Sequence, residues 1–270
     1  MFKNKWSYIG LAIVALFFLS ALLAPWLAPE DPYTVNLSKK LLPPSLSHPM
    51  GYDIYGCDIL SRLLYGARIS LLVSFAVVLI TGIVGIILGL ISGYYGGTVD
   101  TVLMRLVDVL LAFPGLLLAI ALIAVLGPSV QNVIIALSIL GWVSFARLVR
   151  GQVLSVKERD YILAAKTSGQ SDSRIMLVHV LPNVLSPVIV QATFNIAGVI
   201  IAESSLSFLG LGAPPGTPSW GAMLSEGKRV ILDAPHVSIF PGLAIMLVVL
   251  AYNFLGDGLR DRFDPKTEKL

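Results

Sequence analysis

Three polar side chains in one apolar stretch are the first residues whose type and spacing suggest chemistry. Gln191, Asn195 and Glu203 follow one another at intervals of four and eight residues, which predicts one face of a helix. Polar groups inside a membrane helix are costly, and they mark either a solute pathway or hydrogen bonds between helices. Both interpretations stay open, and the three residues are our candidates for lining a pathway.

A longer polar stretch, residues 161–183, interrupts the apolar sequence, and we call it the polar segment. Small residues within 164–168 predict a short helix that another protein's backbone can approach closely. Gly169 predicts a break, after which a second helix over residues 171–180 leaves at a sharp angle and is ended by Pro182. The alternative interpretation is an ordinary charged loop between two membrane helices.

Another group contains possible metal ligands. His48, Asp53, Cys57 and Asp58 lie near one another, but they lack the spacing of a known metal site. We predict tight turns there instead, with Asp58 as the N-cap of the next helix and no metal. Cys57 is the only cysteine, so the chain has no internal disulfide.

Motifs of common enzymes are missing from the sequence. Gly227-Lys228 lacks the upstream glycine of the phosphate-binding loop G-x-x-x-x-G-K-[ST]. There is no H-E-x-x-H and no G-x-S-x-G, and His48, His179 and His236 fall on different predicted loops. We therefore predict that the chain is not an enzyme and holds no nucleotide, cofactor or metal of its own.

Hydropathy predicts the elements that position these residues. Of the 270 residues, 56% are hydrophobic and 13% are charged. A membrane helix needs about 20 apolar residues, and continuous apolar runs exclude a β-barrel, whose strands alternate. We predict an all-α membrane protein whose first helix is an uncleaved anchor. Its six transmembrane helices cover residues 8–27, 69–91, 106–126, 130–149, 184–206 and 239–255.

Positive charges predict the orientation of the chain. If the N-terminus is cytoplasmic, thirteen Lys and Arg residues fall on that side and six on the other. Both termini and the polar segment are then cytoplasmic, and the net charge of +3 reflects topology, with no indication of nucleic-acid binding. We divide the chain into an anchor with an external loop, residues 1–68, and a five-span core, residues 69–270, whose loop between spans four and five covers 151–183.

The second and third predicted spans carry features that concern helix packing. Asp108 is an intramembrane carboxylate, which is a functional candidate, but near the helix end we expect it to pair with Arg105 instead. Phe113-Pro114-Gly115 predicts a kink. Small residues in the second span predict a seam where another helix of this chain or of a partner packs closely, with a flexible gating helix as the alternative. The seam residues are Gly82, Gly85, Gly89 and Gly93.

From about residue 51 to 266, the chain resembles the second (C-type) permease subunit of bacterial dipeptide, oligopeptide and nickel ABC importers. The polar segment is similar to the EAA loop of binding-protein-dependent permeases, and it ends in the His-x-Leu-Pro-Asn of the peptide subfamily. Leu163 stands at the usual Glu position, and Tyr52 and Cys57 replace the usual Thr and Arg. The other stretches that carry the resemblance are residues 93–97, 111–117, 203–221, 240–245 and 256–261.

The resemblance implies the fold of a type I ABC importer permease and a mechanism. Two homologous permeases would form the pathway in the bacterial inner membrane, two subunits beneath them would use ATP and Mg²⁺, and an external binding protein would deliver the solute. The polar segment would be the coupling helix that docks on an ATPase. Its candidate residues are Ala164, Ala165, Lys166, Thr167, Ser168, Gly169, Ser171, Asp172, Arg174, His179 and Pro182.

The resemblance leaves the solute open among peptides and nickel complexes, and we expect di- or oligopeptides. A self-contained channel or secondary transporter is the alternative from another class, although no inverted repeat is visible in the sequence.

Overall fold

Helices form nearly all the regular structure within residues 5–263, the part of the chain that this computed structural model describes. The long helices are α1 (Lys5–Leu27), α2 (Ile59–Tyr95), α3 (Gly97–Leu111), α4 (Gly115–Leu126) and α5 (Val130–Val156). They are followed by α6 (Asp160–Thr167), α7 (Asp172–Arg174), α8 (Leu181–Phe208), α9 (Trp220–Lys228) and α10 (His236–Phe263). Lys3, Lys266 and Lys269, which entered the charge count, lie outside the described residues.

Five helices in the described part are long and apolar enough to cross a membrane, and the pair α3 and α4 is a sixth candidate. The kink predicted at Phe113-Pro114-Gly115 is a full break, since α3 and α4 meet at 83°. Proline has no N–H to donate, and it disfavours helical geometry in the residue before it. Pro114 accordingly stands outside the helix as the N-cap residue of α4.

Helix α2 is longer than its apolar stretch predicts. It begins after Asp58, whose carboxylate accepts a 2.8 Å hydrogen bond from the Ser61 amide, so the predicted N-cap is confirmed. The prediction of turns before it is confirmed as well, because the Asp53 carboxylate accepts hydrogen bonds from the Tyr55 and Cys57 amides. The predicted division of the chain at residue 68 falls inside this continuous helix.

Packing of α2 against α5 depends on glycine. A Cβ added to Gly89 would lie 2.6 Å from the Ala146 carbonyl oxygen, and one added to Gly93 would lie 2.7 Å from the Val153 Cβ. Gly85 is equally tight against Phe145, whereas Gly82 has only an ordinary 4.0 Å neighbour. Three of the four seam glycines therefore allow the two backbones to approach closely.

Contacts between helix ends define two ends of the bundle. At one end Trp6 of α1 packs against Phe254 of α10, with ring centres 5.5 Å apart, and Lys157 at the end of α5 donates to the Gly93 carbonyl at 3.0 Å. The other end holds the loop after α1 and helix α9, since the Glu30 amide donates to Ser61 and Glu226 pairs with Arg62 near the start of α2. The first described residues, the last ones and the polar segment thus share one end.

Charged side chains are paired across elements. Asp108 on α3 contacts Arg147 on α5 at 3.1 Å, so the predicted pair with Arg105 was wrong. Helix α3 lies against α5, and an arginine there reaches the carboxylate. In the opposite half, Arg62 is buried between Asp53 and Glu226, which ties the loop before α2 to α9.

Candidate functional site

The polar segment is a helix, a tight turn and a second helix that joins α8. Helix α6 ends at Thr167, and Gly169 follows with φ of +76°, in the left-handed region. The Gly169 amide donates to the Lys166 carbonyl at 3.0 Å, and the Gln170 amide donates to the Ala165 carbonyl at 3.2 Å. These two bonds form a Schellman motif, which satisfies the last carbonyls of α6 and fixes the direction of the chain.

Buried apolar residues hold this turn against the bundle. Ile162 and Ile175 are fully buried, and Ala165 is 6% exposed, in the same core cluster as Val153 and Val156 of α5. Ala165 therefore packs inward, although sequence reasoning had placed it among the docking residues. His179 is half-buried and contacts the Gln170 side chain at 2.9 Å. The remaining candidates are exposed, namely Ala164, Lys166, Thr167, Ser168, Gly169, Ser171, Asp172, Arg174 and Pro182.

The second helix does not stop at Pro182, so that prediction was wrong. Residues Asp172–Phe208 form one continuous helical run. Ile175–Val180 adopt the wider π-helical pattern, in which each amide bonds five residues back. Because proline cannot donate and its ring collides with the carbonyl four residues earlier, the wider turn before Pro182 accommodates it without ending the helix.

The polar residues of α8 separate into two places. The Gln191 amide donates to the Asn195 side-chain oxygen at 3.1 Å, and the Asn195 amide reaches the Ser144 hydroxyl of α5 at 3.4 Å. All three border surface cavities. One of about 530 Å³ includes Gln191 and Arg260, and another of about 260 Å³ includes Ser144 and Asn195. A third, of about 390 Å³, shares Ser144 with the 260 Å³ cavity and Gln191 with the 530 Å³ cavity.

Glu203 lies apart from this polar face. Its side chain is 2% exposed and surrounded by serine hydroxyls. Ser207 donates at 2.8 Å and Ser219 at 3.3 Å, while Ser70 and Ser204 lie at 3.5 Å. Since Ser70 belongs to α2 and Ser219 precedes α9, the carboxylate joins three elements and does not face an open cavity.

Comparison with known proteins identifies the type of chain that carries this geometry. Residues 85–269 match the family described as the binding-protein-dependent transport system inner membrane component. The chain belongs to this family. Residues 1–44 also match the N-terminal transmembrane domain of oligopeptide transport permease C. The resemblance inferred from motifs over residues 51–266 is therefore confirmed, and the chain is a transport permease.

Named relatives align over almost the whole permease. The dipeptide transport system permease protein DppC of Alkalihalophilus pseudofirmus is 48% identical over 98% of this chain and 87% of its own length. DppC of Haemophilus influenzae is 42% identical over 99% and 92%. The glutathione transport system permease protein GsiD of Escherichia coli is 50% identical over 94% and 84%.

Solved structures support the predicted fold. A chain from inward-facing conformations of the MetNI methionine ABC transporter aligns with a TM-score of 0.62, covering 75% of this permease and 97% of that chain. With 17% sequence identity, the likeness concerns the fold alone. It confirms the all-α architecture of an ABC importer permease.

Sequence reasoning missed three residues that the fold brings into these sites. Ser144 joins the polar face of α8, Tyr94 contacts the polar segment, and Arg62 is buried in an ion cluster. Each of them partners a residue more than 50 positions away or on another helix, so periodicity within one helix gives no signal for it. Arg62 alone gives a local signal, because it is a charged residue shortly after Asp58 in an otherwise apolar stretch.

Proposed function

We propose that this permease forms half of the translocation pathway of an ATP-driven importer of di- or oligopeptides. The observation that carries the proposal is the set of relatives named for dipeptide and glutathione transport, which are 42–50% identical over at least 94% of this chain. Identity at this level over nearly the full length favours a shared solute class as well as a shared fold.

The polar face shared by α5 and α8 fits a peptide as cargo. Ser144, Gln191 and Asn195 offer uncharged donors and acceptors next to cavities, matching the amide groups of a peptide backbone. Neutral groups hydrogen-bond a solute without holding it as strongly as an ion pair would, which suits a pathway that must release its cargo. In the proposal Gln191 and Asn195 line the pathway, while Glu203 fixes the helices around it.

The polar segment fits the role of coupling element. Its exposed small and polar side chains can enter a groove on an ATPase, while Ile162 and Ile175 anchor its inner side to the bundle. A rigid turn that continues directly into α8 can transmit a displacement of the ATPase to a pathway helix. Nucleotide-driven closure would thereby shift the permease between inward-open and outward-open arrangements.

The remaining parts of the system follow from this role. A homologous second permease would complete the pathway, and two ATPase subunits would bind ATP and Mg²⁺ at the end that carries the polar segment. That end, with both termini, would face the cytoplasm, since the larger share of Lys and Arg lies there. An extracytoplasmic binding protein would dock on the opposite end. The assembly would reside in a bacterial inner membrane.

Affinity purification from detergent-solubilised membranes tests the proposal, followed by peptide uptake in proteoliposomes. We expect the wild-type chain to recover a second permease and two ATPases, and replacement of residues 169–172 by a flexible linker to reduce ATPase recovery. Gly169→Val should insert normally but lose ATP-dependent uptake, because a β-branched residue disfavours positive φ by roughly 1–3 kcal/mol.

Gly151→Val is the matched control for Gly169→Val. An added Cβ meets open space at both positions, but only Gly169 has positive φ, so the pair isolates backbone strain from steric contact. Normal uptake by Gly169→Val would refute the coupling role. A chain that purifies alone and moves solute without ATP would refute the importer itself and favour a channel or a secondary transporter.

A further inference from the structure

One buried tyrosine contacts both helices of the polar segment, on either side of its turn. The Tyr94 hydroxyl donates to the Asp172 carboxylate at 2.7 Å, and the Lys166 ammonium lies 5.0 Å from the centre of the Tyr94 ring. Lys166 precedes the Gly169 turn, and Asp172 follows it. A single side chain of α2 therefore holds the two helices of the turn in one relative orientation.

The end of α2 that carries Tyr94 is itself held in place by neighbouring helices. Gly93, directly before it, packs against Val153 of α5, and Lys157 donates to the Gly93 carbonyl at 3.0 Å. On the other side of this helix end, the Arg150 guanidinium pairs with the Asp100 carboxylate at 2.6 Å. The Ser92 hydroxyl of α2 also donates to the Asp100 carboxylate, so the end of α2 is joined to α3 as well as to α5 by directional contacts.

The hydroxyl of Tyr94 supplies something that the apolar contacts beneath the segment cannot. Ile162, Ala165 and Ile175 resist separation of the segment from the bundle, but burial of apolar surface is non-directional and permits sliding. A hydrogen bond to a carboxylate fixes both distance and angle, and its charged acceptor makes it stronger than a neutral one. Tyr94 is 7% exposed, so the donor side of this bond is shielded from water, whereas the Asp172 acceptor lies on the exposed side of the segment.

We propose that Tyr94 is a positioning residue of the coupling step, which transmits displacement of the polar segment to the closely packed α2 and α5. This inference rests on the proposed function of the segment. Without the hydroxyl bond, the segment can still dock on an ATPase, but it shifts against the bundle when the ATPases close. Part of the displacement of the ATPases is then absorbed by this shift and does not reach the pathway helices.

The test compares uptake per ATP hydrolysed in proteoliposomes containing the complete complex. Tyr94→Phe removes only the hydroxyl and keeps the ring beneath Lys166. Tyr95→Phe is the matched control, since this neighbouring ring is 54% exposed and no hydrogen bond joins its hydroxyl to the polar segment. We expect Tyr94→Phe to lower peptide uptake per ATP about tenfold, the effect of losing one charge-assisted hydrogen bond, and Tyr95→Phe to match wild type.

A double-mutant cycle tests the partner of the hydroxyl. If the Tyr94–Asp172 bond carries the effect, Tyr94→Phe combined with Asp172→Ala should be no worse than the more severe single variant. If the effects of the two single variants on uptake per ATP multiply in the double variant, the proposed partnership of Tyr94 and Asp172 is overturned.

Other outcomes would overturn the assignment of Tyr94. An uptake-to-hydrolysis ratio for Tyr94→Phe equal to that of Tyr95→Phe would show that the hydroxyl takes no part in coupling. Loss of the whole complex would make Tyr94 a folding residue, because a structural defect lowers the amount of transporter and not its ratio. Failure of the proposed function has a different signature, since wild type and Tyr95→Phe would then also lack ATP-dependent uptake, and both proposals would fall.

Discussion

Substitution of Gly89 by alanine tests whether close packing of α2 and α5 determines the stability of this permease. The added Cβ would lie 2.6 Å from the Ala146 carbonyl oxygen and 2.7 Å from the Val149 Cβ. Ordinary contacts between such atoms need about 3.5–4.0 Å, so the two helices must separate locally by about 1 Å. Overpacking of this kind destabilises a folded protein by roughly 1–3 kcal/mol.

Gly82→Ala is the control on the same helix. Its Cβ would meet only the Phe145 ring, at 4.0 Å, which is an ordinary contact. Alanine favours a helix over glycine by about 1 kcal/mol at either position. Because this gain is common to both variants, the difference between them isolates the clash, and we expect Gly89→Ala to be less stable than Gly82→Ala by about 1–3 kcal/mol.

Thermal unfolding of the purified complex in detergent measures this difference. Soluble chains of comparable length lose roughly 2–4 °C in Tm for each kcal/mol, so Gly89→Ala should unfold several degrees below Gly82→Ala. Equal unfolding temperatures, or a lower one for Gly82→Ala, would refute the reasoning that the seam at Gly89 leaves no room for a methyl group.

Two further predictions concern the loop before α2 and its contact with α9. Burial raises the pKa of the Cys57 thiol to about 11, so at pH 8 only roughly one thiol in a thousand is ionised. A maleimide should therefore label Cys57 slowly in the native complex and rapidly after denaturation. Fast labelling of the native complex would contradict the burial. Arg62→Met should destabilise the chain by about 3–5 kcal/mol, since it leaves Asp53 and Glu226 without their buried partner. The exposed Arg68→Met is its control in the same unfolding assay, and equal stability of the two would disprove the buried pairing.

Features set by local chemistry were predictable from the sequence. The apolar stretches locate the membrane helices, because in lipid a spanning backbone must satisfy its own hydrogen bonds. Asp58 predicts a helix start, because it precedes an apolar run. Gly169 predicts a turn, because glycine is the residue type that adopts positive φ without steric cost. The motif around the polar segment also indicated the family.

Other features failed as predictions because neighbours outweighed local preference. Pro182 is a helix breaker on local grounds, yet a wide π-helical turn lets the helix continue into α8. Asp108 has a possible partner one turn away, but it pairs with Arg147 because α3 lies against α5. Glu203 shares a helix with Gln191, and only the positions of α2 and α9 bury its carboxylate among serines.

The sequence by itself determined that this protein spans the membrane several times and carries a polar segment between two of its spans, since hydropathy and turn residues act over a few neighbouring positions. Its role as a permease was indicated by its resemblance to a family and not by hydropathy. The tertiary structure alone decided that three of the four seam glycines touch α5, that Ser144 joins Asn195 and Gln191, and that Tyr94 holds Asp172. Those contacts join residues about 50 to 80 positions apart. Their existence depends on how the helices pack, which no pattern within a single helix encodes.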